Sequence, residues 1–288
     1  METGLRLGVM GLGAMGSRMA RRWLGAGAAL RVHNRSPQRA DALLTAGAQW
    51  CASPAELATT SEVIVEISRD DASARALWEA ALPGIQPGTL AISASTLTPQ
   101  TWRELAASLR ARGAVPLDAP VVGSRPQAEA GALVHLVGGD AAAAERAAPL
   151  LAVSGKLQHH AGGVGDGMAL KLAVNAFFGV QVAALAELLM GLERAGLDSQ
   201  SSLALLGALP VTAPAMKGLG QLMLEAKAPP LFPIELVAKD LAYAAEHLGP
   251  APMSARAAEV YAAACEEGLG GLNIQGVVER YRGAHKSC

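Results

Sequence analysis

A lysine and an asparagine one helical turn apart are the residues of this sequence best suited to acid–base chemistry. Lys171 and Asn175 lie in an apolar stretch with a helical pattern, and residues four apart share one helix face. An ammonium group can donate a proton and stabilise charge developing on an oxygen, and a carboxamide can orient the ammonium or bind the same oxygen. The glycine-rich segment 162–167 precedes the pair and leaves room for a ligand. The sequence therefore predicts a catalytic pair with Lys171 as proton donor.

A second candidate site is a glycine-rich turn near the N-terminus. It follows an apolar run with the character of a strand and opens a helical pattern. In such a unit the glycines allow a tight turn, close approach to a pyrophosphate and close helix–strand packing, and the helix N-terminus faces the phosphate charge. The sequence therefore predicts a dinucleotide site formed by Gly11, Leu12, Gly13, Ala14, Met15 and Gly16.

The end of the second predicted strand indicates which dinucleotide the turn would bind. Enzymes that use NAD usually place a carboxylate there, which binds the ribose 2′-hydroxyl. This sequence reads His33-Asn34-Arg35-Ser36 and has no carboxylate there to repel a 2′-phosphate. Arg35 can pair with such a phosphate through a charged fork, and Asn34 and Ser36 can donate further hydrogen bonds. We therefore predict NADP(H) rather than NAD as the cofactor.

Short apolar runs alternate with helical patterns through the first half of the chain. This alternation predicts an α/β fold with a doubly wound parallel sheet whose strands are covered on both faces. The predicted strands are Leu5–Met10, Leu30–His33, Val63–Ile67, Thr89–Ser93 and Val115–Asp118, with Leu133–Val137 and Lys156–His159 as candidates near the sheet edge. The predicted helices between them are Ala14–Leu24, Pro37–Thr45, Asp71–Ala80 and Pro99–Arg112.

The pattern changes after the glycine-rich segment 162–167. One helix is predicted over Met168–Arg194, about 40 Å long at 1.5 Å per residue, ending at Ala195-Gly196. Shorter helices follow, and almost no strand pattern remains. They are predicted at Gln200–Ala208, Pro214–Glu225, Pro233–Leu248, Ala255–Gly268 and Gln275–Arg282. We therefore predict two domains, a dinucleotide-binding domain over residues 1–163 and an all-helical domain over residues 164–288.

Composition narrows the classes of partner. The chain has 288 residues, 51% of them hydrophobic, and a formal net charge of −1, so bulk electrostatics favours neither nucleic acid nor an anionic membrane. The most apolar stretch, 172–190, contains Asn175, Gln181 and Glu187, and we interpret it as a buried helix rather than a membrane span. The expected partner is thus a small-molecule substrate, with no nucleic acid and no membrane.

The cysteines and the N-terminus bear on compartment and metal binding. The three cysteines are far apart and, with the histidines, show no metal-ligand spacing, so no metal is predicted. Free thiols suit a reducing compartment, and the N-terminus lacks the pattern of a secretory signal. We therefore expect a cytoplasmic protein. The cysteines are Cys51, Cys265 and Cys288.

Four segments, in order along the chain, resemble the β-hydroxyacid dehydrogenase family, which contains 3-hydroxyisobutyrate dehydrogenase, tartronate semialdehyde reductase and glyoxylate/succinic semialdehyde reductase. The first is the turn Gly8–Gly16, with Asn34-Arg35-Ser36 similar to the NADP-preferring variant of the family. The others are Asp118–Ser124 followed by Ala130–Leu133, Gly165-Asp166-Gly167 with Lys171 and Asn175, and Lys239-Asp240-Leu241. The resemblance covers essentially the whole chain.

The resemblance implies roles beyond those that the residues alone suggest. It implies a Rossmann domain joined by a long interdomain helix to an all-helical C-terminal domain, in dimers or tetramers with the active site between domains. It places Val122, Gly123 and Ser124 in the substrate-binding segment, Ser95 and Thr96 near the nicotinamide, and Lys239 in contact with the cofactor.

The sequence departs from the family pattern at several positions. The family usually has Ser at position 122, where it helps to hold the substrate carboxylate, and a second Gly at position 124. Val122 cannot donate a hydrogen bond, and Ser124 with backbone N–H groups would have to substitute for it. Val174 and Asn273 stand where many members carry Asn and Asp. Glu66, inside an apolar strand, fits either the cofactor end of that strand or a solvent-facing edge.

These observations favour an NADPH-dependent oxidoreductase that transfers hydride between the nicotinamide and a small semialdehyde, oxo acid or hydroxy acid. Two alternatives remain open. An imine reductase would share the architecture, but that family usually lacks the catalytic lysine, so Lys171 argues against it. A non-catalytic dinucleotide-binding protein would have no need of Lys171.

Overall fold

The computed structural model describes residues 4–225 and 229–283, and the contacts divide the chain into two units, Met1–Lys171 and Leu172–Cys288. The first unit is α/β and the described part of the second is helical, which confirms the predicted fold class. One long helix, Asp166–Arg194, begins in the first unit and continues into the second. The domain boundary predicted between residues 163 and 164 stays a prediction.

A nine-stranded sheet forms the centre of the first unit. Its strands are β1 (Arg6–Met10), β2 (Ala29–His33), β3 (Gln49–Trp50), β4 (Val63–Glu66), β5 (Leu90–Ser93), β6 (Val115–Asp118), β7 (Val121–Val122), β8 (Leu133–Gly138) and β9 (Gly155–Gly162). Their order is β3-β2-β1-β4-β5-β6-β8-β7, with β9 paired to β8. The strand order reverses beside β1, and ligands of such sheets bind outside the carboxyl ends of the strands at this point.

The sheet is parallel from β3 to β6 and mixed beyond β6. Strand β8 runs antiparallel to β6 and β7 and parallel to β9. The link from β6 to β8 holds strand β7 and one six-residue helix, Arg125–Ala130. This edge of the sheet therefore departs from the parallel arrangement of strands β3 to β6.

Seven α-helices flank the sheet in the described part of the first unit. They are α1 (Gly16–Gly25), α2 (Asp41–Thr45), α3 (Pro54–Thr60), α4 (Asp71–Ala81), α5 (Pro99–Ala111), α6 (Arg125–Ala130) and α7 (Ala141–Ser154), with 3-10 turns at Pro37–Ala40 and Leu82–Gly84. The sequence prediction omits α3, α6 and α7. The first two have seven and six residues, too few for a clear period, and α7 is an alanine-rich segment interrupted by Pro149.

Tryptophans mark the two apolar layers on either side of the sheet. Trp23 of α1 is fully buried on one face, and its indole N–H donates to the carbonyl of Leu150 at 2.9 Å. Trp78 and Trp102 are fully buried on the other face, with ring centroids 6.1 Å apart. Burying one large apolar side chain contributes about 1.5–3 kcal/mol. The helices thus cover both faces and leave the strand ends for ligands.

The second unit is a helical assembly around its own core. Its helices are α8 (Asp166–Arg194, which starts in the first unit), α9 (Ser199–Ala208), α10 (Pro214–Glu225), α11 (Ile234–His247), α12 (Pro252–Glu266) and α13 (Val278–Gly283), with a 3-10 turn at Ile274–Val277. Tyr261 is fully buried in this core and donates to the carbonyl of Gly179. Asn273 accepts from the Phe232 N–H and donates to Gln275, so the amide at this departure from the family pattern links two segments.

Helix α8 is long and apolar enough, by length and composition alone, to cross a membrane. Half of the residues in its most apolar window are buried within the fold. Leu172 and Met190 belong to the core of the second unit, while Phe177 and Leu188 are exposed. The packing of one side of the helix is that of a core helix in a globular protein.

Two of the three cysteines fall within the described residues, and both are free thiols. Cys51 is buried and Cys265 is half-buried. Burial is the largest cause that raises the pKa of each thiol, which reduces thiolate character. Cys288 lies outside the described residues.

Candidate active site

The glycine turn follows β1 in a backbone shape that only glycine tolerates. Gly11 has a φ of +99°, and a Cβ added there would lie 2.1 Å from the Ile67 carbonyl oxygen. A Cβ on Gly16 would lie 2.1 Å from the Gly11 carbonyl oxygen. At Gly13, by contrast, an added Cβ would meet nothing within 4 Å. Gly11 and Gly16 thus serve internal packing, while Gly13 borders open space where a phosphate group can approach.

The start of α1 suits an anion. No acidic residue lies in its first turn, and the Met15 N-cap contributes no side-chain cap. The N–H groups of this turn therefore have no carboxylate beside them to compete with a bound phosphate. The residues present fit the pyrophosphate of a dinucleotide.

Asn34 ties the glycine turn to the end of β2. Its Oδ1 accepts from the Leu12 N–H at 2.9 Å, and its Nδ2 donates to the Ser36 carbonyl at 2.9 Å. The amide is therefore engaged within the protein at both ends. Arg35 and Ser36 beside it are exposed and can meet a ligand. The cofactor-binding roles predicted for Asn34, Arg35 and Ser36 stay predictions.

Glu66 lies at the carboxyl end of β4 and is completely buried. Ser93 Oγ donates to its Oε2 at 2.7 Å, and Ser95 Oγ donates to its Oε1 at 2.8 Å. Burial raises the pKa of this carboxyl, and the hydrogen bonds from the serines partly oppose the rise. Of the two positions left open by the sequence, Glu66 occupies the end of the strand that faces the ligand edge of the sheet.

The Glu66 contacts define what Ser95 can do. Besides donating to Glu66, Ser95 Oγ accepts from the Ser68 N–H at 2.6 Å. The hydroxyl hydrogen of Ser95 is thus used inside the protein, and its side chain fixes the loops after β4 and β5. Thr96 is the next residue and is partly exposed. That Ser95 and Thr96 bind the nicotinamide stays a prediction.

Asp118 holds the start of the helix that carries Lys171. This residue ends β6, is completely buried, and accepts from the Gly165 N–H and the Met168 N–H at 2.9 Å each. Burial raises the pKa of Asp118, and the two N–H groups partly oppose the rise. The carboxylate therefore acts as a clamp between the carboxyl end of the sheet and the first turn of α8.

Close packing of two glycines reinforces the clamp. A Cβ on Gly167 would lie 2.3 Å from the Leu136 carbonyl oxygen, and a Cβ on Gly138 would lie 2.5 Å from Asp118 Oδ2. Lys171 follows Gly167 by four residues, one turn along α8, and is only 8% exposed. The amine is thus carried by a helix whose start is fixed against β8 and the end of β6.

The predicted substrate segment follows β6 and contains β7. Val122 and Ser124 are partly exposed, and Gly123 is exposed with a φ of +129°. The Ser124 hydroxyl donates to Gln127 Oε1 at 2.8 Å, and this pair caps α6. The hydroxyl expected to substitute for the missing serine at position 122 is therefore engaged within the protein. Whether these residues bind substrate stays a prediction.

Asn175 and Lys239 meet at one carboxylate in the second unit. Asn175 Nδ2 donates to Asp240 Oδ2 at 2.6 Å, and Lys239 Nζ lies 2.7 Å from Asp240 Oδ1. Lys239 also lies over the ring of Tyr243, 4.6 Å from its centre. Asp240 is 3% exposed; the sequence prediction includes it in the segment Lys239-Asp240-Leu241 but gives a role only to Lys239. Asp240 could have been noticed in the sequence, because it is an acidic residue next to Leu241 on the apolar side of a helical pattern.

The structure brings most of the predicted residues of the first unit to one edge of the sheet. The glycine turn follows β1, Asn34–Ser36 follow β2, Ser95 and Thr96 follow β5, and the clamp attaches the start of α8 to the end of β6. In parallel α/β sheets this carboxyl edge is where ligands bind. The elements and side chains on this edge are those of a dinucleotide-dependent oxidoreductase.

Comparison with protein families gives the same class for both units. Residues 6–165 match the model described as the NAD binding domain of 6-phosphogluconate dehydrogenase. Residues 165–281 match the model described as NAD-binding of NADP-dependent 3-hydroxyisobutyrate dehydrogenase. The protein is thus an NAD(P)-dependent oxidoreductase that acts on hydroxyl or carbonyl groups. More particularly, the chain belongs to the β-hydroxyacid dehydrogenase family, as the resemblance of its motifs implies.

Individual relatives support this membership over nearly the whole chain. Glyoxylate/succinic semialdehyde reductase 2 of Arabidopsis thaliana is 32% identical over 96% of this chain and 80% of its own length. The solved 3-hydroxyisobutyrate dehydrogenase of Mycobacterium tuberculosis with L-serine is 28% identical, covers 98% of this chain and 100% of its own, and has a TM-score of 0.90. An imine reductase from Pseudomonas sp., 21% identical with coverages of 96% and 99%, has a TM-score of 0.65 and shares the fold.

Proposed function

We propose that the protein reduces a small semialdehyde or oxo acid with NADPH, with Lys171 as the proton donor. The observation that carries this proposal is the placement of Lys171, a nearly buried amine one turn beyond a helix start that the Asp118 clamp fixes at the ligand edge of the sheet. The name of the Arabidopsis thaliana relative, a glyoxylate/succinic semialdehyde reductase, supports this class of substrate.

The proposed chemistry divides between the cofactor and the protein. The cofactor, when bound, would supply hydride, and the carbonyl oxygen of the substrate would then carry negative charge. Lys171 stabilises that charge and transfers a proton from Nζ to the oxygen, which yields the hydroxy acid. Proton donation of this kind contributes about 10²–10⁴-fold to the rate. In the opposite direction the neutral amine of Lys171 accepts the hydroxyl proton.

Asn175 is proposed to support the lysine from the next turn of the same helix. Its Nδ2 is held by Asp240, so the orientation of the carboxamide is fixed. A fixed amide can in turn present its oxygen to an ammonium group. Asp240 and Lys239 thereby act on the position of Asn175, and the cofactor contact predicted for Lys239 remains part of the proposal.

Preference for NADPH over NADH is proposed from the residues after β2. Arg35 and Ser36 are exposed, and residues 33–36 include no carboxylate. A guanidinium in this position matches a 2′-phosphate, whereas the acid typical of NAD enzymes would repel it.

The proposal is tested by turnover of a substrate panel with NADPH and NADH. The panel contains glyoxylate, succinic semialdehyde, 3-oxo acids, neutral aldehydes and cyclic imines, and cofactor absorbance is the readout. We expect reduction of a carboxylate-bearing carbonyl compound, and loss of at least about 10²-fold in kcat for Lys171→Met with unchanged NADPH binding. Lys156→Ala, at an exposed lysine of the first unit, is the control and should match the parent protein.

Two results would contradict the assignment. Unchanged kcat in Lys171→Met would remove the proton-donor role. Turnover of cyclic imines without turnover of any carbonyl compound would instead identify an imine reductase.

A further inference from the structure

Arg125 is a cation beside the predicted substrate segment that the mechanism above does not use. It follows Ser124 directly and is the first residue of α6. The residue is half-buried, and its Nε is buried with no hydrogen-bond partner in the described part of the chain. A buried N–H without an acceptor is costly, because it has lost water and gained no hydrogen bond. An anion bound at Arg125 would remove this cost.

The orientation of α6 places Arg125 at the ligand edge of the sheet. Glu129 Oε1 accepts from Arg18 Nε at 2.6 Å, and a Cβ on Gly131 would lie 2.6 Å from the Arg22 guanidinium. Successive residues of α6 thus lie beside successive turns of α1, so the two helices run in the same direction. Arg125, at the beginning of α6, therefore lies toward the beginning of α1, where the glycine turn is.

The face of α6 that carries Arg125 is the face toward this turn. Arg125 and Glu129 are four residues apart and share a helix face. Glu129 is paired with Arg18, whose Nη1 donates to the Ala14 carbonyl of the glycine turn at 2.8 Å. Arg125 lies one turn earlier than Glu129 on this face of α6, toward the glycine turn.

The side chains of the three residues before Arg125 offer no free hydrogen-bond donor to an anion. Val122 and Gly123 have no side-chain donor, and the Ser124 hydroxyl already donates to Gln127. A guanidinium binds a carboxylate through two parallel N–H···O hydrogen bonds, which fixes both the position and the orientation of the acid.

We propose that Arg125 determines substrate specificity by binding the carboxylate of the semialdehyde or oxo acid. This inference rests on the proposed function, because it assigns the acidic end of the substrate of that same site. Arg125 takes no part in proton transfer. It holds the carboxylate so that the carbonyl group at the other end of the substrate can reach Lys171.

The test compares an acidic and a neutral aldehyde of similar length, succinic semialdehyde and pentanal, in Arg125→Gln and Arg125→Lys. With NADPH as cofactor, we expect Arg125→Gln to raise the KM for succinic semialdehyde by about 10- to 100-fold. Arg125→Lys should give a smaller rise, because it retains charge without the fork. The KM for pentanal and the Kd for NADPH should stay within about twofold of the parent values. Arg112→Gln, at an exposed arginine after α5, is the matched control.

Each other outcome overturns the inference in a distinct way. Equal losses with both aldehydes would mean that Arg125 has a structural role only. Weaker NADPH binding in Arg125→Gln would assign the guanidinium to the cofactor diphosphate instead. If the parent protein reduces neither these aldehydes nor any other carbonyl compound of the substrate panel, the proposed function fails, and calorimetric binding of succinate to the NADP⁺-saturated protein still tests Arg125. Equal succinate affinity in the parent protein and Arg125→Gln would then refute the carboxylate site.

Discussion

Replacing Asp118 by Asn tests whether the clamp at the start of α8 positions Lys171. The carboxylate accepts one N–H on each oxygen, from Gly165 and Met168, in a site with no solvent exposure. In Asp118→Asn the amide NH₂ must face one of these N–H groups, so one buried donor loses its acceptor at a cost of about 1–3 kcal/mol. We therefore expect the free energy of unfolding to fall by about 2 kcal/mol, and by about twice as much in Asp118→Ala, where both donors lose their acceptor.

Tryptophan fluorescence can measure the expected loss of stability in the first unit, which contains Asp118. All four tryptophans, Trp23, Trp50, Trp78 and Trp102, lie in the first unit. Urea unfolding followed by their fluorescence should show the lower stability of Asp118→Asn, and a thermal scan should show a midpoint lower by about 4–8 °C. If misplacement of Lys171 raises the activation free energy by about 1.4 kcal/mol, kcat falls about tenfold.

Asp140→Asn is the matched control for the clamp. Asp140 is exposed and accepts from the Ala142 and Ala143 N–H groups at the start of α7. Asn is nearly as good an N-cap as Asp, so this change should leave both stability and kcat within about 0.5 kcal/mol of the parent values. A parental unfolding midpoint and parental kcat in Asp118→Asn would refute the clamp.

Two further predictions concern the cofactor and pH. Arg35→Ala should weaken NADPH binding by about 10- to 100-fold and leave NADH binding nearly unchanged in a fluorescence titration, with the exposed Arg39→Ala as control; equal weakening of both cofactors would contradict the phosphate contact. Burial lowers the pKa of His135 to about 4, whereas in the unfolded chain it titrates near its ordinary value of 6.5, so protons bind the unfolded state preferentially as pH falls through this window. From about pH 7 to about pH 5 the parent protein should lose about 2 kcal/mol that His135→Gln does not lose, as measured by urea unfolding; parallel curves would show that His135 does not contribute.

The helices and strands of this fold could be predicted from the sequence where consecutive residues form a clear pattern. The apolar run before Gly11 and the glycine turn predict a strand followed by a helix from about a dozen consecutive residues. The structure has β1 and α1 at these positions. The helix Asp166–Arg194 begins only two residues before its predicted start. Helix α7 escaped prediction because alanine at most positions gives little contrast between its faces.

The partners of the site residues could not be read from sequence because they come from distant parts of the chain. Asp118 meets an N–H group 47 residues away, and Asn175 meets Asp240 across 65 residues. A single sequence indicates that Glu66 is unusual within an apolar strand, but it does not reveal that Ser93, at the end of β5, and Ser95, just after it, donate to it. The sequence shows which side chain types are present, but only the tertiary structure shows which of them are hydrogen-bonded to one another.

The double attachment of Asn34 has a consequence for redesign of the coenzyme requirement. The usual route to an NAD-utilising variant would introduce an acid after β2, and position 34 is the obvious place. An aspartate there could still receive the Leu12 N–H but could offer nothing to the Ser36 carbonyl, so the loop that carries Arg35 would lose its tether. Engineering should therefore begin at positions 35 and 36, whose side chains face outward, and keep the amide that joins the two halves of the coenzyme cradle.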